Sequence, residues 1–197
     1  MGRQRFFRER SPGPNCDRTR QVVIAYDFIA SSSQSLDELQ TELIVLPFFS
    51  DERPLRGATG LIDWRLCGTL SRKLMAGYLD GRFGEKALVT TPQNRKSEGV
   101  LLVGLGASTA FDAHVAKRAC TLIANALTES KVSNAALALP GRSMGLLPAL
   151  QSMQLWLAAS PRDAQLEEIT IIERAEEHRA LDSLFDAMRR QAESPLG

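Results

Sequence analysis

The stretch Glu42–Phe49 reads ELIVLPFF and leads within seven residues to Gly57-Ala58-Thr59-Gly60. An apolar run this short, without alternation, suits a strand buried on both faces. The two glycines mark a tight strand-to-helix turn. From Thr59 to Tyr78 the spacing predicts one helix, because Ile62, Leu66, Leu70 and Leu74 recur every four residues as a single stripe. Asp63 falls in its first turn, where the helix dipole favours an acid, and Gly77 and Gly81 bracket its end. A strand covered on two faces needs a layer on each side, so this unit already narrows the chain to a layered α/β fold.

The same pattern continues downstream. Glu85–Thr91, Val100–Leu105, Asn134–Leu139 and Glu168–Glu173 are further predicted strands. Thr109 is expected to cap a helix to Thr128 that buries Ala116, Ala119, Cys120, Ile123 and Leu127. A helix over Gly145–Ser160 is expected to turn Leu146, Leu150, Met153 and Leu157 inward, with Pro148 tolerated in its first turn. The last helix, Ala175–Ala192, would bury Leu181, Leu184, Phe185 and Met188. The order β-α-β-β-α-β-α-β-α predicts a three-layer α/β sandwich. Its sheet would be mixed, mostly parallel and flanked by helices, with an antiparallel pair at the β-β step.

The first twenty residues carry six arginines against Glu9 and Asp17, and are broken by Ser11-Pro12-Gly13-Pro14. That composition predicts a flexible, solvated segment. The alternative is a basic arm that touches nucleic acid or an acidic partner. Gln21–Ala30 reads as an extra edge strand, and Ser35-Leu36-Asp37-Glu38 has the spacing of a capping box that opens a short helical turn. The expected division is a basic segment over 1–40 and one α/β domain over 41–193.

Composition excludes several classes. The 197 residues carry a net charge of +1, which does not make the whole molecule a polyanion binder. Cys16, Cys67 and Cys120 are odd in number and far apart, so no disulfide framework is expected. With only His114 and His178 and no CxxC, no metal site is expected either. No apolar run is long enough to span a membrane, and no secretory leader is apparent, so the expected location is cytoplasmic. Cys67 and Cys120 lie on or beside apolar stripes and are expected to be buried thiols. Trp64 and Trp156 are expected to serve packing or an interface.

Three loops are candidate binding elements. The first is Arg56, Gly57 and Gly60, where a helix N-terminus offers N–H groups to an anion. The second is Gly104 and Gly106, a partial dinucleotide fingerprint in which Thr109 stands at the third glycine. The third is Gly141, Arg142 and Ser143. Converging at the carboxyl ends of the strands, they would take a nucleotide or ADP-ribose-like phosphate. The plainer role of each is a turn or a cap. Ser143 is not in a G-x-S-x-G elbow, and no residue presents itself as a nucleophile.

Several motifs carry a family resemblance. They are Asp51-Glu52-Arg53-Pro54-Leu55, Gly57-Ala58-Thr59-Gly60, Asp63-Trp64-Arg65, the run Val100–Gly106, Phe111-Asp112 and Ala136–Pro140. Over residues 42–175 the chain resembles the N-terminal domain of the leucyl (cytosol) aminopeptidases. The resemblance implies a macro-domain-like fold. It also implies catalysis elsewhere, since that family works through a C-terminal domain with two metals and an Asn-Thr-Asp-Ala-Glu-Gly-Arg signature that does not occur here. No catalytic residue, metal ligand or cofactor is therefore carried over. What the resemblance implies is a non-catalytic domain that acts by self-association or contact with a protein partner. Ligand binding is the alternative, and a component of a metallopeptidase assembly is the third. Macro domains that bind ADP-ribose carry an Asn-Ala-Ala-Asn run, absent here, and an adenine-binding acid that Asp51 matches loosely.

Overall fold

A computed structural model describes residues 24–90, 97–161 and 165–193. The arginine-rich stretch 1–20 lies outside the described residues. In chain order the elements are β1 (Ala25–Ala30), α1 (Ser33–Glu38), β2 (Thr41–Phe48), α2 (Gly57–Arg65), α3 (Thr69–Met75), β3 (Lys86–Thr90), β4 (Ser97–Gly104), α4 (Ala113–Ser130), β5 (Asn134–Ala138), α5 (Ala149–Ala159), β6 (Glu168–Glu173) and α6 (Ala175–Glu193). A short 3-10 turn, Ser108–Ala110, precedes α4.

The strands form one six-stranded sheet in the order β1-β6-β5-β2-β4-β3. All neighbours are parallel except β3 and β4, the antiparallel pair expected from the β-β step. The extra edge strand forms as β1, parallel to β6. The central strand β2 shows why its apolar run lacks alternation. Successive side chains point to opposite faces, and both faces are covered. Leu43 and Val45 join a core with Ile123, Leu127, Met153, Trp156 and Leu181, the layer of α4, α5 and α6. Ile44, Leu46 and Phe48 join a second core with Leu36, Ile62, Leu70 and Leu74, the layer of α1, α2 and α3.

Four local expectations are corrected. The single helix over Thr59–Tyr78 is two, α2 and α3, because Cys67 and Gly68 turn left-handed at φ 52° and 73°. Asp63 does not serve the dipole of its own helix. Its Oδ1 accepts the N–H groups of Leu70 (2.8 Å) and Ser71 (3.2 Å), doing for α3 what a side-chain N-cap does. The cap of α4 is Asp112, whose Oδ1 accepts from Val115 N at 2.8 Å, while Thr109 lies in the 3-10 turn. The turn at Ser35–Glu38 is the end of α1, and its cap is Ser32.

Three burial expectations also change. α5 starts at Ala149, so its buried face is Ala149, Ser152, Met153 and Trp156, and Leu146 and Leu150 are each 39% exposed. On α6, Leu181 is fully buried and Met188 is exposed. Cys120 is buried, as expected, and burial pushes its thiol up to about 12. Cys67 is exposed, because it sits on the left-handed corner rather than on a helical stripe. Among the described residues, no helix is long and apolar enough to cross a membrane.

Candidate functional site

The carboxyl ends of the parallel strands β2, β5 and β6 open into a cleft of about 200 Å³. Its first wall is built by the exit from β2. Glu52 is 1% exposed, yet its carboxylate is fully engaged. Oε2 accepts from Phe49 N (3.1 Å) and Ser143 Oγ (3.1 Å), and Oε1 accepts from Arg56 N (2.9 Å). Burial pushes this carboxyl above its usual value, against the pull of those three hydrogen bonds.

The chain then enters α2. Its N-cap, Arg56, makes no side-chain cap bond. The first-turn N–H groups of a helix have no partner within the helix. Here they belong to Gly57, Ala58 and Thr59, all three of which line the cleft. The Thr59 hydroxyl is turned away, donating to Pro47 O at 3.3 Å. Gly60 does not line the cleft. A Cβ there would stand 2.4 Å from Leu55 O, so the turn admits only glycine.

The second wall is the loop after β5. Arg142 and Ser143 line the cleft, with Gly145 beyond them. Gly141 belongs to the same loop but packs on the Phe111 ring. Arg142 is not free to hold a phosphate. Nε donates to Glu173 Oε2 (2.5 Å), one terminal nitrogen to Leu147 O (2.6 Å), and the other to Glu173 Oε1 (3.2 Å) and Glu177 Oε1 (3.0 Å). Burial works against its charge, but the Glu173 and Glu177 carboxylates outweigh it and hold the guanidinium above its usual value. Arg174, at the rim, is more open, its side chain 57% exposed.

Two of the three predicted loops thus meet. The Gly104–Gly106 loop does not line the cleft. Gly104 N donates to Glu85 O and Gly106 N to Gly81 O, which fastens β4 to the segment before β3. A Cβ at Gly104 would lie 2.1 Å from Arg82 O, so close backbone approach explains that glycine. Asp51 is engaged as well. It accepts from Ser108 Oγ (2.6 Å) and Ser108 N (2.9 Å), bonds that hold its carboxyl below the usual range.

Sequence reasoning missed Glu52 and Glu173. The signal for Glu173 was an acid closing the apolar run EITIIE at the carboxyl end of a buried strand. The signal for Glu52 was an acid beside a buried strand end, four residues before an uncapped helix. Among the described residues, no group of three His, Cys, Asp or Glu side chains is placed to hold a metal ion. What the cleft offers chemically is a set of backbone N–H donors beside an ion pair that is already balanced.

Known proteins match this architecture. The family model described as cytosol aminopeptidase family, N-terminal domain, matches residues 45–148. A probable cytosol aminopeptidase of Pseudomonas syringae pv. tomato is 40% identical over 74 residues, covering 38% of this chain and 15% of that relative. Among solved structures, a tomato leucine aminopeptidase mutant superposes with a TM-score of 0.58 at 18% identity, covering 84% of this chain and 36% of its own. A Trypanosoma brucei macrodomain superposes with a TM-score of 0.64 at 15% identity, covering 85% of this chain and 70% of its own. These likenesses show the macro-domain-like fold expected from the sequence.

Proposed function

Because the chain belongs to the cytosol aminopeptidase family through its N-terminal domain, we propose that it serves as a non-catalytic binding domain whose cleft takes one small anionic group. The group is a phosphate, carried by a nucleotide or an ADP-ribose-like molecule. The observation behind this reading is the uncapped start of α2, whose Gly57, Ala58 and Thr59 all border the cleft. An anion there meets unpartnered N–H groups and the positive end of the helix dipole. The volume limits what enters. About 200 Å³ is less than the roughly 300–1,000 Å³ of sites that enclose a drug-sized ligand. The cleft therefore takes the phosphate and leaves the remainder of the ligand at the rim, beside Arg174.

Thermal unfolding in inorganic phosphate, ADP-ribose and nucleotides tests this. A ligand that binds only the folded state adds about 2.7 kcal/mol at a hundredfold excess over Kd. A raised midpoint is expected, and Ser31→Tyr, which places a ring at the cleft wall, should abolish it. No rise with any probe overturns the reading. Peptidase activity of this chain with added manganese or zinc overturns its non-catalytic part.

A second reading, contact with a protein partner, is favoured by a different observation. Trp64, Met75 and Tyr78 on the α2–α3 hairpin are 73%, 79% and 78% exposed. A contiguous exposed apolar patch rimmed by polar residues marks an interaction site, whereas scattered apolar residues do not. Replacing all three with alanine should abolish partner binding while leaving the unfolding midpoint nearly unchanged. A lowered midpoint would show that they serve the fold.

A further inference from the structure

We propose that the outer face of the α2–α3 hairpin docks an acidic protein segment that also carries apolar side chains. This rests on the protein-contact reading and adds the chemistry of the partner. Residues 53–79 contain Arg53, Arg56, Arg65, Arg72 and Lys73 but one acid, Asp63. Asp63 is buried, with Oδ1 on the N–H groups of Leu70 and Ser71 and Oδ2 accepting from the Ser71 hydroxyl. It neutralises nothing on the outside. Arg65 is turned to Asp37 and the Ser33 carbonyl, and Arg53 and Arg56 lie beside the acids Asp51 and Glu52. Arg72 and Lys73 remain. Neither forms an ion pair with any described acid.

Both cations belong to α3, as does Met75, and Lys73 reaches Tyr78 just beyond it. The Arg72 guanidinium donates to Cys67 O and Thr69 Oγ1, which holds it over the corner between α2 and α3. Lys73 Nζ lies 6.0 Å from the Tyr78 ring centroid. Ile62, Leu70 and Leu74 are buried in the core beneath the sheet, while Trp64, Met75 and Tyr78 stand open to solvent. Trp, Tyr, Met and Arg are the side chains that most enrich interface centres.

The charge selects the occupant. A second copy of this face, in two-fold contact, would set Arg72 and Lys73 against like charges. Two cations neutralise too few phosphates to hold a nucleic acid at ordinary salt. The seven residues of α3 are short for a helix lying in a bilayer interface. A protein segment with acids flanking apolar anchors satisfies both halves of the surface.

The test titrates the whole chain with a synthetic peptide of alternating Glu and Leu, and with its counterpart in which Gln replaces every Glu. Trp64 emission is the readout, with oligo-dT and anionic vesicles as further probes. The acidic peptide should bind at least tenfold more tightly than the neutral one. Arg72→Glu with Lys73→Glu should remove that margin while leaving the unfolding midpoint unchanged. Equal binding of the two peptides overturns the acidic partner and leaves the protein-contact reading standing. Binding of neither overturns both. Tighter binding of oligo-dT or vesicles overturns the proposal in favour of nucleic acid or a lipid surface.

Discussion

Ser143 Oγ donates to Glu52 Oε2 at 3.1 Å, joining the loop after β5 to the loop after β2. This bond links the two walls of the cleft, and its acceptor is a buried carboxylate whose other bonds go to Phe49 N and Arg56 N. Glu52→Gln keeps the shape but turns an amide NH2 toward N–H donors. It should cost about 1–3 kcal/mol, the usual penalty for a buried polar group left badly paired. Urea unfolding measures it. Ser143→Ala should cost less, because one of three donors is lost.

The pH dependence follows from the raised folded-state value of Glu52. An acid whose pKa is higher folded than unfolded stabilises fully below its unfolded value, and that contribution fades as pH rises through the folded value. The contribution of Glu52 should therefore fall from about pH 4.5, its unperturbed value, upward. Unfolding midpoints of wild type and Glu52→Gln, compared between pH 4 and 8, should converge as pH rises. Divergence with rising pH would contradict the assignment.

The Arg142–Glu173 pair is buried on both sides, the side chains 9% and 4% exposed. Arg142→Met leaves Glu173 as a buried charge without its main partner and should cost about 3–5 kcal/mol. Arg174→Met removes an exposed cation and should cost about 0–1 kcal/mol. Similar losses from the two would mean that the buried pair has no special weight.

The two tryptophans should behave in opposite ways. Trp156 is fully buried and Trp64 is 73% exposed. Trp156→Ala should lose about 3–5 kcal/mol, and Trp64→Ala should stay within about 0.5 kcal/mol. Acrylamide should quench the emission of the Trp156→Phe variant, which retains Trp64, far more than that of Trp64→Phe.

Asp63→Ala should cost about 1–2 kcal/mol, the loss of a side-chain cap, although the residue lies in the preceding helix. Amide exchange at Leu70 and Ser71 should quicken in that variant more than exchange in α4.

The layered sheet was legible because burial on both faces imposes an apolar run, and ELIVLPFF and EITIIE could not be surface strands. The resemblance to the aminopeptidase N-terminal domain was legible in ordered motifs. The corner at Cys67–Gly68 was not, since the stripe Ile62, Leu66, Leu70, Leu74 keeps a helical period straight through it. The tertiary pull of Asp63 on α3 overrides that local pattern. The α5 stripe failed for a related reason: residues 145–148 are not helical, so the pattern began four residues too early. Of the proposed binding residues, Gly57, Arg142 and Ser143 border the cleft. Gly60 and Gly104 have the same spelling, but backbone proximity alone requires them, and spacing cannot tell these roles apart. Arg142 looked like a free cation because its partner, Glu173, lies 31 residues away.

The inward turn of Asp63 has one further consequence. With that acid inside, the exposed groups of the α2–α3 hairpin that carry charge are arginine and lysine, and no histidine occurs between residues 53 and 79. Salt would screen the attraction of such a face for an acid, and a phosphorylated serine or threonine on another molecule would add negative charge opposite it.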